Sequence, residues 1–351
     1  AASPENTMQD PTGEPAWDDA LVGVASGADT IWQQYKEYVG AFHWTPWEVF
    51  NQHCPGESVS ADALTVIAWV LPQRPRVREA NRRAKMFPAE AWARIRVYGE
   101  AFNAALRLHM VDQLGRQGHA AVAPMLVPNW TIVKSERFSY ASSWSERHAA
   151  HAAGLGTFGL CDGLITARGK AMRVGSVVAK VSIAPTPRPY SDHRAYCLYF
   201  AEGTCGQCID RCPARAITEA GHDKEKCRQH LGRSREHVKK TYRFEGYGCG
   251  LCQVGVPCEA GIPVRAAREA LERGDFEPVA AEPEVAAEPE TAAEPETVAE
   301  PEEAVTPEEV PVVSEPEVAA EPEEAAESEV EAESVAPLIT VDEDSSKQWF
   351  I

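Results

Sequence analysis

Cys205-Gly-Gln-Cys208-Ile-Asp-Arg-Cys212-Pro213 reads as C-x2-C-x3-C-P. Around it stand Cys197 upstream and Cys227, Cys249-Gly-Leu-Cys252 and Cys258 downstream. Eight of the ten cysteines therefore fall between residues 197 and 258. Disulfide scaffolds belong to short secreted chains, and this chain has 351 residues. Thiols crowded into one segment of a large chain point to metal in a reducing, cytoplasmic compartment. No signal peptide is visible, but the chain begins at Ala1 rather than Met, which fits a leader already removed.

The spacing also says which metal. Two-cluster iron–sulfur segments run C-x2-C-x2-C-x3-C-P, with the fourth cysteine serving the other cluster. Here Glu202 stands at the first position and Cys197 substitutes for it. The crossover assigns Cys197, Cys205, Cys208 and Cys258 to one [4Fe–4S] cluster. It assigns Cys212, Cys227, Cys249 and Cys252 to a second. Zinc is the alternative, because paired C-x2-C units also build zinc ribbons. Zinc sites keep both pairs of one site together, and the interleaving here does not. Cys54 and Cys161 lie outside the set and read as packing thiols.

Upstream of the cysteines the pattern is that of a globular body. Leu64 to Leu71 is a continuous apolar run stopped by Pro72, as a buried strand requires. Ala120–Val127, Leu160–Thr166 and Arg173–Ala184 read as further strands. Trp32–Val49 reads as a helix and a packed turn. Trp92, Ile95, Phe102, Leu106, Met110 and Leu114 keep helical spacing up to Gly115. Pro263–Glu272 reads as a short helix. Strands alternating with helices give an α/β (α+β) body. The expected divisions are a loose N-terminus (1–18), an α/β core (19–195), a cysteine domain (196–276) and a tail (277–351).

Charge marks the last boundary. The tail holds 24 acidic residues and one lysine, Lys347, a net of −23. Residues 1–276 are left at +4 within a whole-chain charge of −19. Prolines recur every six residues from Pro283 to Pro307. Such a segment buries too little apolar surface to offset chain entropy and reads as disordered. No stretch is apolar for long enough to span a membrane.

Gly154-Leu-Gly-Thr-Phe-Gly159 matches G-x-G-x-x-G. A dinucleotide site needs a strand before it and a helix after it. Here the order is reversed. Ser143-Trp-Ser-Glu146 reads as a capping box, and a helix runs from Glu146 until Gly154 ends it. These glycines suit backbone lying against something broad and flat. His148 and His151 share a helix face, which reads as packed or hydrated before it reads as a chelate.

The stretch Ser145-Glu-Arg-His-Ala-Ala-His-Ala-Ala-Gly-Leu-Gly-Thr-Phe-Gly159, with Gly163-Leu-Ile-Thr166, Arg173-Val-Gly-Ser-Val-Val178 and the eight cysteines, resembles the corrinoid iron–sulfur reductases. That group holds reductive dehalogenases and epoxyqueuosine reductases. The resemblance covers about residues 60–263. It implies a nitroreductase-like core binding a base-off cobalamin beside a ferredoxin-like domain with two [4Fe–4S] clusters. The corrinoid would contact Gly154, Leu155, Gly156, Gly159, Gly163, Ile165, Gly175 and Ser176. Aligned without gaps, Tyr140 falls where dehalogenases carry a tyrosine and epoxyqueuosine reductases an aspartate. Tyr140 is then the proton donor, and a phenol donates well only beside a cation. Arg147, His193 and Arg194 are the candidate cations, with Arg147 and Arg194 as catalytic partners. The leading expectation is a dehalogenase acting on an organohalide, fed by a low-potential donor such as ferredoxin or flavodoxin. The alternatives are an epoxyqueuosine reductase-like enzyme acting on tRNA and a two-cluster electron carrier without corrinoid.

Overall fold

The computed structural model describes residues 3–57, 59–135 and 137–274. The elements follow in order: β1 (Leu21–Ser26), α1 (Ile31–Val39), α2 (Pro46–His53), β2 (Thr65–Pro72), α3 (Pro75–Arg83) and α4 (Glu90–Arg116). Then come β3 (Ala121–Val122), β4 (Ile132–Ser135), β5 (Ser139–Ser142), α5 (Glu146–Ala152), β6 (Gly156–Phe158), β7 (Leu164–Thr166) and β8 (Met172–Ala179). The cysteine segment adds α6 (Leu198–Ala201), α7 (Gln207–Asp210), β9 (Ile217–Thr218), β10 (Gly221–His222), α8 (Lys224–Tyr242) and α9 (Arg265–Arg273).

The apolar run at Leu64 becomes β2, one of the two inner strands of a four-stranded sheet ordered β1-β2-β8-β3. Every neighbouring pair is antiparallel, with Thr65 opposite Ala179 and Pro72 opposite Met172. Strands alternate with helices along the chain as read, yet the sheet they build is antiparallel. The run is apolar throughout because helices cover both faces, not because the strand is parallel. Val66, Ala68 and Val70 point into one cluster with Trp32, Phe50, Trp144 and Ala149. Ile67, Trp69 and Leu71 point into the other with Trp17, Trp92 and Ile95. Each fully buried Val or Leu contributes roughly 1.5–3 kcal/mol.

Several expectations change. Residues 3–18 are not loose: Met8 and Trp17 are buried, and the Asn6 side chain donates to the Trp17 carbonyl at 3.0 Å. The Ala120–Val127 strand shrinks to β3, since Pro124 opens a 3-10 turn. The Leu160 strand begins only at Leu164, after a turn closed by the Gly159 amide on the Gly163 carbonyl at 2.8 Å. The strand from Arg173 stops at Ala179. The Trp32–Val49 turn carries a second helix, α2, with a reciprocal Thr45–Glu48 capping box. The box read at Ser143 does not form. Ser145 is the N-cap of α5, and Glu146 turns inward.

The cysteine segment does not stand apart from the body. Cys197, Cys208, Cys258, Ile217 and Val264 share one apolar cluster with Leu160, Cys161 and Ile165. The tail, residues 277–351, lies outside the described residues.

Candidate active site and cysteine centre

A cavity of about 760 Å3 opens beside the sheet. Helix α1 gives it Tyr35 and Tyr38, β5 gives Tyr140, and α5 gives Arg147, His148 and His151. Phe158, Gly159, Leu160, Arg194 and Lys224 also line it. All three residues expected to do chemistry, Tyr140, Arg147 and Arg194, therefore face one space.

Two cations that the sequence reading did not single out meet Tyr140. Lys224 Nζ donates to the Tyr140 carbonyl at 2.8 Å, and the Arg228 guanidinium lies 5.2 Å from the centre of its ring. Arg147 donates to the Asp162 carbonyl at 2.7 Å, and Arg194 stacks on Phe200 at 4.1 Å. Lys224 and Arg228 are four apart on α8, a spacing that marks one helix face. That spacing was the available signal. Burial pushes the Lys224 ammonium down to about 8, against the pull of Asp162.

Three histidines pack around Tyr35. Its hydroxyl lies 2.6 Å from His151 Nδ1, and its ring sits 4.6 Å from that of His148. Burial lowers His43 to about 4, His151 to about 3 and His148 well below its usual value, so all three are neutral near pH 7. His151 Nε2 is buried without a partner while the residue lines the cavity, a polar atom that a bound group would satisfy. Among the described residues, no three His, Cys, Asp or Glu side chains converge as on a single metal ion.

Of the eight residues expected to hold a corrinoid, only Gly159 lines this cavity. A Cβ on Gly154 would meet the Pro187 carbonyl at 2.6 Å, and one on Gly175 would meet Trp69 at 2.4 Å. Gly156 likewise lies on Ile165. These glycines admit protein, not ligand. Leu155 packs against β1 at Gly23, and Ile165 is buried in the cysteine-side cluster. Gly163 faces Cys161 and Lys170. Ser176 accepts from Trp144 Nε1 at 3.1 Å and donates to Glu146. Behind it, buried Arg107 donates to Glu146 at 2.8 Å and to Glu100 at 3.1 Å. Burial works against the Glu100 carboxylate, yet Arg173, Arg107 and Arg96 hold it down to about 2.

The fold gathers the cysteines in two groups. Cys197, Cys205, Cys208 and Cys258 line one small cavity, although 61 positions separate the first from the last. Cys249 is electrostatically coupled to Cys227 and Cys212, and Cys252 to Cys249. Burial raises Cys249 to about 12 and Cys227 to about 11, so a cation entering there must displace protons. Leu160 lines both the small cavity and the large one. Cys161, expected to be a packing thiol, packs in one apolar cluster with Cys208 and Cys252 and accepts from Lys170 Nζ at 3.2 Å.

No family model matches the chain. Epoxyqueuosine reductases of Bacillus anthracis and Bacillus cereus are each 30% identical to it over 124 residues. A solved Bacillus subtilis epoxyqueuosine reductase, with its catalytic loop swung out of the active site, has a TM-score of 0.41 at 18% identity. An epoxyqueuosine reductase solved with a modified tRNA-Tyr stem loop has a TM-score of 0.40 at 16%. Each structural alignment covers 70% of this chain and 63% of the other. The chain is thus similar to epoxyqueuosine reductases over 34% of its own length, and it spans 30% of the length of the curated relatives it matches.

Proposed function

We propose that this chain is an oxidoreductase that uses two [4Fe–4S] clusters and a corrinoid to deoxygenate an epoxyqueuosine-type nucleoside in tRNA. The carrying observation is Leu160, which lines both the four-cysteine cavity and the large cavity holding Tyr140. Electrons held among the cysteines have one side chain to cross. The named relatives favour an epoxide over an organohalide as substrate.

The residues fit the cofactors in chemistry. Four thiols from separate stretches share a cavity, as a four-iron cube requires. His151 Nε2 offers the large cavity an unmet polar atom, and Gly159 lies in the same wall. A bound corrinoid supplies electrons at low potential. Removal of an epoxide oxygen consumes two electrons and two protons and releases water. Tyr140 donates a proton to the departing oxygen, Arg228 over its ring stabilises the negative charge left on the phenol, and Lys224 fixes its backbone. Phe158 and Leu160 keep the reacting face dry. Tyr140 itself favours a second reading, reductive cleavage of a carbon–halogen bond.

Anaerobic reconstitution of the full chain tests both. The expected result is two four-iron clusters per chain, a cobalamin absorption spectrum retained after desalting, and conversion of epoxyqueuosine tRNA. Conversion of an organohalide alone would select the second reading. Zinc in place of iron, or no retained cobalamin, would overturn both.

A further inference from the structure

Lys170 is 3% exposed, and its ammonium donates to Cys161 Sγ at 3.2 Å. A buried lysine needs a compensating anion. The Lys170 amide also donates to the Cys258 carbonyl at 2.9 Å. Lys170 also lines the cavity of Cys197, Cys205, Cys208 and Cys258. Cys161 and Cys208 belong to one apolar cluster, and Cys252 of the other group packs against it. The pair therefore stands at the junction of the two cysteine groups. Gly163 leaves it room, since a Cβ there would lie 3.3 Å from Cys161 Sγ and 3.5 Å from Lys170 Cδ.

We propose that Lys170, held by Cys161, is the charge-compensating cation between the two clusters and sets their reduction potentials. A cluster bound by four thiolates is negatively charged, and reduction adds one more negative charge. A fixed cation in a dry setting stabilises the reduced form most. Lys170 thus makes both clusters easier to reduce than thiolate ligation alone would. This role is one of tuning, because the ammonium ligates no iron and touches no substrate. It rests on the two-cluster reading above.

The test is an EPR-monitored redox titration of the reconstituted full chain as wild type, Lys170→Gln and Lys170→Arg. Lys170→Gln lowers the reduction equilibrium of at least one cluster about tenfold, 59 mV for one electron. Lys170→Arg, which keeps the charge, stays near wild type. Iron lost from Lys170→Gln but kept by Lys170→Arg supports the same role. Wild-type potentials in Lys170→Gln at full iron content overturn it, and so does equal iron loss in both variants. A wild type that takes up no iron refutes the cluster reading instead, and the two failures are told apart by iron analysis alone.

Discussion

Tyr140 is held from two sides by one helix: Lys224 on its carbonyl and Arg228 over its ring. Under the proposed reaction, Tyr140→Phe removes the proton and leaves the cavity's shape. Turnover should fall about 10²–10⁴-fold while cobalamin retention is unchanged. Full turnover in that variant would remove Tyr140 from the mechanism. Arg107 is a different kind of residue, because its charge is wholly internal. Arg107→Met leaves Glu146 buried without its partner, and breaking such a pair costs about 3–5 kcal/mol. Urea denaturation should register that loss, and Arg107→Met with Glu146→Leu should recover much of it. A double variant as unstable as the single one would mean that packing, not charge, decides the site.

At the scale of elements, α2 and α5 show how similar signals diverge. Thr45-Pro-Trp-Glu48 forms its capping box because Glu48 sits at the surface, where Lys36 also meets it at 2.7 Å. Ser143-Trp-Ser-Glu146 has the same spacing, but buried Arg107 takes the glutamate first. Thr45→Ala should therefore cost about 1 kcal/mol in thermal or urea unfolding. Ser143→Ala should not act through a helix cap, and a cap-sized loss of α5 helicity would contradict that. Helix α8 links the two halves of the site. Its first turn carries Lys224 toward the large cavity, and Cys227, three residues on, joins the second cysteine group.

Across the whole molecule, buried neutral histidines set an acid limit on stability. His43 and His151 have folded values of about 4 and about 3, below the ordinary value near 6.5. Below pH 6.5 the unfolded chain binds protons that the folded chain refuses. Stability is thus fully present above pH 6.5 and is lost as pH falls toward 4. Each histidine contributes a slope of up to about 1.4 kcal/mol per pH unit. Urea midpoints at pH 7.5, 5.5 and 4.5 should fall in that order, and His43→Asn should flatten the series. A pH-independent midpoint would show that these imidazoles are not buried neutral.

What was legible in the sequence was local. The unbroken apolar run at β2, the helical spacing from Trp92 to Leu114 and the cysteine spacings all depend on neighbours a few residues away, and adjacent residues determine period and reach. Burial of both faces also read correctly from β2, whereas its pairing direction could not be read there. Direction depends on which strand lies alongside, and β8 lies more than 100 positions downstream. The same limit hid the contacts of Glu146, Gly175, Lys224, Arg228 and the Lys170–Cys161 pair. Each acquires its partner only when the antiparallel sheet and its covering helices bring distant segments together. Sequence alone therefore determined which chemical groups this protein owns. Tertiary packing decided which of them meet, because contact across long chain separations is set by the burial of shared apolar faces and not by spacing.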